Sequence, residues 1–229
     1  MLKLLTFAPC LGTRSPSPFA VKGEALLAMS GLDYTTEVSD VRKAPRGKLP
    51  VLDDGGTLIP DTAHIQTHLE QVHNIDFDSH LSDLQRAHAT AFRRLIEDHF
   101  YYLNAHYRWA DHPQAVRDGY FADAPKLLRG IIFKVVNRNI TKMLHMTGLS
   151  RHTREQMEAM TQDDVDALAT QLGDQRYFMG DKISSIDASL FGALEGLIPC
   201  TLDTPSGRMV KAHANLVAYH ERLSRELFG

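Results

Sequence analysis

A serine followed by proline opens the first helical stretch of the chain, in the segment RSPSPFA at residues 14–20. Ser17 is typical of a helix N-cap, where a hydroxyl accepts a hydrogen bond from a free amide, and Pro18 suits the first helical position. The N-terminus of a helix is also a region of positive potential, which stabilises an anion such as a thiolate. Two hypotheses therefore stand for Ser17, a structural cap and a group that stabilises a bound thiolate.

Three neighbours in the same loop, Cys10, Thr13 and Ser15, are alternatives to Ser17 for the second role. The first 33 residues contain no tyrosine, which excludes a tyrosine hydroxyl from this loop. The two cysteines, Cys10 and Cys200, are far apart and predict no disulfide framework. This cysteine usage favours a reducing, cytoplasmic compartment.

Twelve histidines raise the question of a metal site. His64 and His68 have i,i+4 spacing, but no carboxylate or cysteine accompanies them at metalloprotease spacing. A zinc site needs several converging ligands. The histidines are therefore interpreted as scattered structural and surface residues, and no metal is predicted.

The composition is that of an ordinary globular protein, with 43% hydrophobic and 23% charged residues in a chain of 229. This length allows one large domain or two small ones. The formal net charge of -3 argues against a general nucleic-acid partner. No apolar run reaches the roughly 18 residues of a membrane-spanning helix, and the N-terminal run is too short for a signal peptide. We therefore expect neither nucleic acid nor membrane as a partner.

The first part of the chain alternates strand and helix signals in the order β-α-β, loop, β-β-α. The predicted elements are a strand at 2–7, a helix at 18–30 ended by Gly31, a strand at 33–39, a hairpin of two strands at 49–60 around DDGG, and a helix at 62–72. From Ser82 onward the strand signals vanish. Helices are predicted at 84–110, 124–144, 153–172, 184–198 and 209–227. With 74–81 as the linker, the expected domains are residues 1–76 and 82–229.

Several stretches resemble one known family. The strand and helix order, with KLPVL at 48–52 before the hairpin, resembles the thioredoxin fold as used in glutathione transferases. MGDKISSIDASLFGALEGLI at 179–198 resembles the C-terminal signature of the metaxin and failed-axon-connections branch, as do FYYLNAHYRW at 100–109 and GLSRHTREQ at 148–156. The resemblance implies a bacterial-type soluble member with a thioredoxin-like α/β domain followed by an all-α helical domain.

The resemblance also implies a glutathione site. Pro50 would be cis and would leave the backbone of Leu49 unpaired, whereas a trans proline that opens a strand is the alternative. Asp61 would pair with the ammonium group of glutathione, and Thr62 with its γ-glutamyl carboxylate. On residue type alone, a helix cap is the favoured interpretation of Asp61, and its position after LPVL favours the ligand role.

A basic loop before the hairpin would hold the glycine carboxylate of glutathione. Its cations are Arg42, Lys43, Arg46 and Lys48, of which Lys48, next to Leu49, is the preferred member. A solvated surface loop is the alternative, because exposed charges commonly have no specific partner.

Ser17 occupies the position that contacts the substrate thiol in the family that the sequence resembles. In this family the residue at the start of the first helix contacts the glutathione sulfur, and redox-active relatives have cysteine there. A thiol titrates near ~8.5 in water, so a hydrogen bond to the thiolate favours the nucleophilic form. Serine cannot form a mixed disulfide, so Ser17 favours conjugation over thiol exchange.

The second substrate is expected between the two domains, where ligand clefts commonly form. The aromatic part of the long helix contains Phe100, Tyr102, His106, Tyr107 and Trp109, and α-helical spacing predicts a shared face for Tyr102, His106 and Trp109. These rings line either the cleft or the helical core.

The capping-box spacing of Ser184 and Asp187 is assigned to folding, not to chemistry. The predicted function is a cytoplasmic, dimeric glutathione transferase that uses glutathione as co-substrate and conjugates it to a small hydrophobic electrophile. Because metaxin-like members act in protein import and interaction, a non-catalytic adaptor is the alternative.

Overall fold

A four-stranded sheet organises the N-terminal half in the computed structural model, which describes residues 1–122 and 124–229. The strands are β1 (Leu2–Thr6), β2 (Tyr34–Val38), β3 (Val51–Asp54) and β4 (Thr57–Pro60), in the order β2-β1-β3-β4. β1 is parallel to β2 and antiparallel to β3, and β4 is antiparallel to β3. Gly55 and Gly56 have φ of 59° and 97°, which the tight β3–β4 turn requires.

Two helices accompany this sheet, α1 (Pro18–Ser30) and α2 (Thr62–Val72). α1 ends at Gly31 in the left-handed conformation, with φ of 68°, as the sequence predicts. α2 is capped by Asp61 and ends at His73. The predicted β-α-β-β-β-α order is confirmed, because each element has a strong local signal at its boundary.

The C-terminal half is helical in its described residues, as predicted. Its helices are α3 (Asp83–Arg94), α4 (Tyr101–His106), α5 (Pro113–Tyr120), α6 (Lys126–Met146), α7 (Arg154–Leu172), α8 (Ser185–Glu195), α9 (Pro205–Ala212) and α10 (Ala214–Phe228). Two details differ from the prediction. The short helix α5 was not predicted, and the helix expected at 209–227 is divided into α9 and α10 at His213, whose backbone is extended.

The long helix predicted at 84–110 contains two π-helical segments. Leu95–Phe100 lies between α3 and α4, and Tyr107–Asp111 follows α4. A π turn contains one residue more than an α turn, so it rotates the side chains that follow it and often marks a functional site. The aromatic stretch at 100–109 therefore begins in one π segment and ends in the other.

The two halves share one hydrophobic core. Leu4 and Leu26 from the sheet half belong to the same buried cluster as Phe178 and Phe191 from the helical half. Gly192 of α8 permits the closest approach, because a Cβ atom there would lie 2.4 Å from the carbonyl oxygen of Pro18. The start of α1 is therefore packed directly on α8. The domain boundary between residues 76 and 82 stays a prediction.

The predicted capping box at the start of α8 is confirmed as a folding motif. The Asp187 carboxylate accepts from the amide and hydroxyl of Ser184 at 2.8 and 2.9 Å. Its other oxygen accepts from the amide of Phe178 at 2.8 Å and the hydroxyl of Tyr219 at 2.6 Å. Burial raises the pKa of the Asp187 carboxyl, and these hydrogen bonds act in the opposite direction. The motif joins three segments of the helical half.

Candidate functional site

Ser17 caps α1 and still retains a free hydroxyl proton. Its Oγ accepts from the amide of Ala20 at 3.3 Å, which confirms the N-cap hypothesis. A hydroxyl has one proton to donate and two lone pairs, and no described residue accepts the Ser17 proton. The cap and the thiolate-stabilising role are therefore chemically compatible at the same side chain.

The three alternatives to Ser17 in this loop are buried, hydrogen-bonded to carbonyl oxygens or unsuited to thiolate chemistry. Ser15 is buried, and its Oγ accepts from the Ser17 amide at 3.4 Å. The Thr13 hydroxyl contacts the carbonyl oxygens of Cys10 and Ser15 at 2.8 and 3.0 Å. Burial raises the pKa of the Cys10 thiol to about 11, which Arg108 offsets only in part. Cys10 is consequently a neutral thiol at physiological pH.

A buried arginine holds the loop immediately before Ser17. Arg108 donates from Nη1 to the Pro16 carbonyl at 2.9 Å and to the Tyr120 hydroxyl at 2.6 Å, and from Nη2 to the Gly196 carbonyl at 2.7 Å. It is 6% exposed, and no carboxylate of the described chain forms an ion pair with it. Sequence reasoning missed this residue, although a lone arginine in the aromatic stretch FYYLNAHYRW was a signal.

The helical half holds the same loop at two further points. The carboxylate of Glu195 accepts from the Arg14 amide at 2.9 Å, and its other oxygen lies 2.7 Å from Nε2 of His220. The Thr201 amide donates to the Leu11 carbonyl at 2.9 Å. The conformation of the Ser17 loop thus depends on residues far away in the sequence.

The Leu49–Pro50 peptide bond is cis, as the sequence resemblance implies. Pro50 lies below α1, where a Cβ atom on Gly23 would be 3.3 Å from its Cγ. In the described part of the chain, no backbone group forms a hydrogen bond with the Leu49 amide or carbonyl. The Leu49 backbone therefore has both hydrogen-bonding groups available.

Asp61 has an uncommon backbone conformation at the start of α2. Its φ of 79° and ψ of 133° are rare for a residue other than glycine, and such conformations cost about 1–3 kcal/mol. Its exposed carboxylate accepts from the Ala63 amide at 3.0 Å, so the cap interpretation is confirmed. The hydroxyl of the adjacent, buried Thr62 has no partner among the described residues. Strain of this kind is concentrated at ligand-binding positions.

The basic loop contains one cation with an ion-pair partner and three without one among the described residues. Arg42 donates to the Asp40 carboxylate from Nε at 2.8 Å, so its charge is already compensated. Lys43, Arg46 and Lys48 are exposed and form no ion pair with the described residues. Lys48 immediately precedes the cis peptide bond, and its ligand role stays a prediction.

A cleft between α1 and the helical half begins one residue after Ser17. Pro18 and Phe19 line one wall, and Phe100 and Tyr101 line the other. The rings of Phe19 and Tyr101 meet edge to face with centroids 4.9 Å apart. Neither Ser17 nor any other predicted glutathione-binding residue lines this cleft, so it is a separate volume adjoining the start of α1.

The polar part of the cleft is an ion pair between the two halves. Lys22 of α1 donates to the Glu97 carboxylate at 2.6 Å, and the Ser189 hydroxyl donates to the same oxygen at 2.8 Å. Burial lowers the pKa of the Lys22 ammonium, an effect that Glu97 opposes. Both charges of this pair are compensated internally. Aromatic and aliphatic side chains form most of the remaining lining, together with the polar Asn104 and Arg108.

The predicted aromatic residues have different locations. Phe100 lines the cleft, whereas Tyr107 is fully buried and its hydroxyl lies 3.0 Å from that of Thr161 in the helical core. The Trp109 ring contacts Tyr120, with centroids 5.5 Å apart. The α-helical spacing that predicted a shared face for Tyr102, His106 and Trp109 does not apply after His106, because a π segment begins at Tyr107.

His68 and His73 are not scattered but lie together against one carboxylate, whereas the absence of a metal stays a prediction. Their Nε2 atoms lie 2.8 and 2.7 Å from one oxygen of Asp54. The β3–β4 hairpin and α2 bring this carboxylate to the two imidazoles across 14 and 19 residues of sequence. Sequence spacing on the helix alone could not reveal such a cluster.

Two family models match successive parts of the chain. Residues 18–114 match the glutathione S-transferase N-terminal domain, and residues 161–223 match the glutathione S-transferase C-terminal domain. The solved structure of a glutathione transferase from Phanerochaete chrysosporium superposes with a TM-score of 0.68 at 17% identity, covering 100% of this chain and 98% of that one. This confirms the predicted fold class.

The chain belongs to the glutathione S-transferase superfamily. It is 28% identical to isoprene-epoxide--glutathione S-transferase of Rhodococcus sp. (strain AD45), with 99% of each chain covered. It is 26% identical to Failed axon connections of Drosophila melanogaster over 93% of this chain, and 30% identical to Metaxin-1 of Mus musculus over 80%. The predicted metaxin-like branch is therefore confirmed.

The relatives differ in length. The chain matches 99% of the isoprene-epoxide transferase, but only 55% of Failed axon connections and 61% of mouse Metaxin-1. In the described part of the chain, no helix combines the length and apolar composition needed to cross a membrane.

Proposed function

We propose that this protein is a glutathione transferase that conjugates glutathione to a small hydrophobic electrophile. The observation that carries the proposal is the free hydroxyl proton of Ser17 at the N-terminus of α1, beside an aromatic cleft. The Ser17 hydroxyl donates a hydrogen bond to the glutathione thiolate, and the helix N-terminus contributes a favourable potential. Both effects favour the ionised sulfur, which is the nucleophile.

Glutathione lies along the surface between the N-termini of α1 and α2 in this proposal. The Leu49 backbone beside Pro50 pairs with the peptide backbone of glutathione, and Lys48 holds the glycine carboxylate. Asp61 pairs with the ammonium group, and the Thr62 hydroxyl with the γ-glutamyl carboxylate. These assignments rest on the available donors and acceptors at each position.

The electrophile enters at Phe19 and Tyr101. Because these two rings are in contact and the cavity beside them measures about 20 Å³, the rings separate to admit it. The rings present apolar surface, and Lys22 and Glu97 compensate each other's charge. Arg108 also lines the cleft, with its guanidinium hydrogen-bonded to carbonyl oxygens and not to a carboxylate. A relative over the full length of the chain is named for isoprene epoxide. We therefore infer a small, uncharged epoxide as the class of substrate to test first.

Glutathione binding is expected to weaken by about 1.5–3 kcal/mol in Asp61→Ala and in Thr62→Ala, the range for hydrogen bonds to charged groups. Isothermal titration calorimetry with glutathione measures the effect. Thr67→Ala is the matched control, because Thr67 is exposed on the same helix and its hydroxyl bonds only to the Ala63 carbonyl. Unchanged affinity in both site variants would remove Asp61 and Thr62 from the binding site.

The second candidate function is a non-catalytic adaptor. The matches to Failed axon connections and Metaxin-1 favour it, although the chain spans only part of each. Absence of glutathione binding in the wild type, together with a stable protein partner, would support the adaptor and contradict the transferase. The cytoplasmic location stays a prediction under either function.

The predicted homodimer would cover an unusual apolar face on α6. Leu127, Ile131 and Val135 follow one another at helical spacing and are 94%, 63% and 57% exposed. Contiguous exposed apolar side chains of this size mark protein interfaces.

We expect Ile131→Glu to raise the dimer dissociation constant at least about tenfold, since central apolar residues carry most interface energy. Light scattering after size exclusion measures the mass. Leu84→Glu, at a leucine 66% exposed on α3, is the control and leaves the mass unchanged. A monomeric wild type would contradict the prediction.

A further inference from the structure

Two imidazoles and one carboxylate converge at the end of α2 that is opposite to Asp61. Nε2 of His68 and Nε2 of His73 lie 2.8 and 2.7 Å from Oδ2 of Asp54. The three ligand atoms all lie within 4.8 Å of one another. The roles proposed for the glutathione site use none of these residues.

The backbone fixes the position of each of the three side chains. Asp54 is the last residue of β3 and is paired with Leu2 in β1 and Thr57 in β4. His68 lies within α2, and His73 caps the helix through its amide, which donates to the Leu69 carbonyl at 3.2 Å. Regular structure therefore holds the three ligands together before any ion is bound.

The electrostatics of the cluster suit a cation. The Asp54 carboxylate supplies negative charge, and each imidazole offers a nitrogen lone pair as a ligand. No lysine or arginine of the described chain forms an ion pair with Asp54. The side chains of Asp54, His68 and His73 are 23%, 16% and 25% exposed, so an ion can enter from solvent while most of its surroundings remain protein.

We propose that Asp54, His68 and His73 form a binding site for one zinc ion, with water as the remaining ligand. Imidazole nitrogen and carboxylate oxygen are ligands that zinc prefers, and three protein ligands with an open fourth position are a known arrangement. In a tetrahedral site, zinc–ligand bonds of 2.0–2.1 Å place neighbouring ligand atoms about 3.3 Å apart. The two distances from Nε2 to Oδ2 of Asp54 therefore widen by about half an ångström when the ion binds.

Each imidazole binds the ion through the lone pair of Nε2. The proton of that nitrogen moves to Nδ1 through solvent, so the ring remains neutral and no proton is lost. Nδ1 of His68 and Nδ1 of His73 form no hydrogen bond with any residue in 1–122 or 124–229. Both atoms are thus free to hold the proton.

Calorimetric titration of the chelator-treated protein with Zn²⁺ tests the site. We expect one saturable site in the wild type, and binding at least about tenfold weaker in His68→Gln, His73→Gln and Asp54→Asn, since even groups outside the ligand set change metal affinity by that factor. His64→Gln is the matched control, an exposed histidine four residues earlier on the same helix, and leaves the affinity unchanged.

Two further measurements keep the test independent of variant stability. Co²⁺ added to the wild type is expected to give the visible absorption of a tetrahedral site, which added Zn²⁺ abolishes. Cys10→Ser and Cys200→Ser retain the Zn²⁺ site, which separates it from binding by thiols. No saturable Zn²⁺ binding, or equal binding in the wild type and all three ligand variants, would overturn the proposal and leave a hydrogen-bonded link between the hairpin and α2.

Discussion

Replacing Ser17 by alanine is expected to lower the rate of glutathione conjugation at neutral pH by about tenfold to a hundredfold. The loss corresponds to about 1.5–3 kcal/mol for a hydrogen bond to a charged sulfur, if that bond is retained in the transition state. The same change raises the pKa of the bound thiol, because the thiolate loses a donor while the neutral thiol loses less. The pH–rate profile should therefore move to higher pH, and the rate recover in alkaline solution.

Other variants of the same loop provide the controls. Cys10→Ala is expected to leave the profile in place, because burial raises the pKa of that thiol to about 11 and keeps it neutral. Ser17→Cys should gain thiol–disulfide exchange activity, because cysteine at a helix N-terminus has a stabilised thiolate. If Ser17→Ala is unchanged while Ser15→Ala or Thr13→Ala abolishes the rate, the role belongs to that other hydroxyl. If no loop variant matters, Ser17 is a helix cap alone.

The second large effect is on stability. Asp187→Ala is expected to reduce the free energy of unfolding by about 3–5 kcal/mol, because breaking a buried hydrogen-bond network has the largest effects among point mutations. The change leaves the Phe178 amide, the Ser184 amide and the Tyr219 hydroxyl without their acceptor. Urea unfolding followed by circular dichroism measures the difference.

Tyr219→Phe disrupts only one hydrogen bond of the Asp187 network. It removes one donor and leaves the other hydrogen bonds to the carboxylate, so the expected loss is about 1.5–3 kcal/mol. A loss in Asp187→Ala no larger than in Tyr219→Phe would contradict the assignment of the network to folding.

Local signals account for the part of the fold that the sequence predicted. Ser17 and Gly31 lie at the two ends of α1, directly beside the helical pattern of apolar residues that predicts this helix. The glycine pair after Asp54 likewise specifies the hairpin turn. α5 was missed because its eight residues, PQAVRDGY, include a glycine and are too few to establish a helical period in the sequence. Such a helix is held by its surroundings more than by its own propensity.

Features that depend on tertiary contacts could not be predicted in this way. The π segment at Tyr107 changes the register on which the shared aromatic face depended. Arg108 acquires its role only when Pro16 and Gly196 are brought to the same place. The Asp54 cluster likewise requires the sheet to position a carboxylate beside a helix that begins eight residues later. The roles of Lys48, Leu49, Pro50, Asp61 and Thr62 stay predictions.

The anchorage of the Ser17 loop has a consequence for how the protein loses activity. The loop is held by Arg108, by Glu195 and by Thr201, which contact Pro16, Arg14 and Leu11. Heat or proteolysis that first loosens the helical half would release the Ser17 end of α1 while the four strands were still paired. The proposed activity therefore depends on the helical half as well as on the sheet, and inactivation would precede the melting of the sheet.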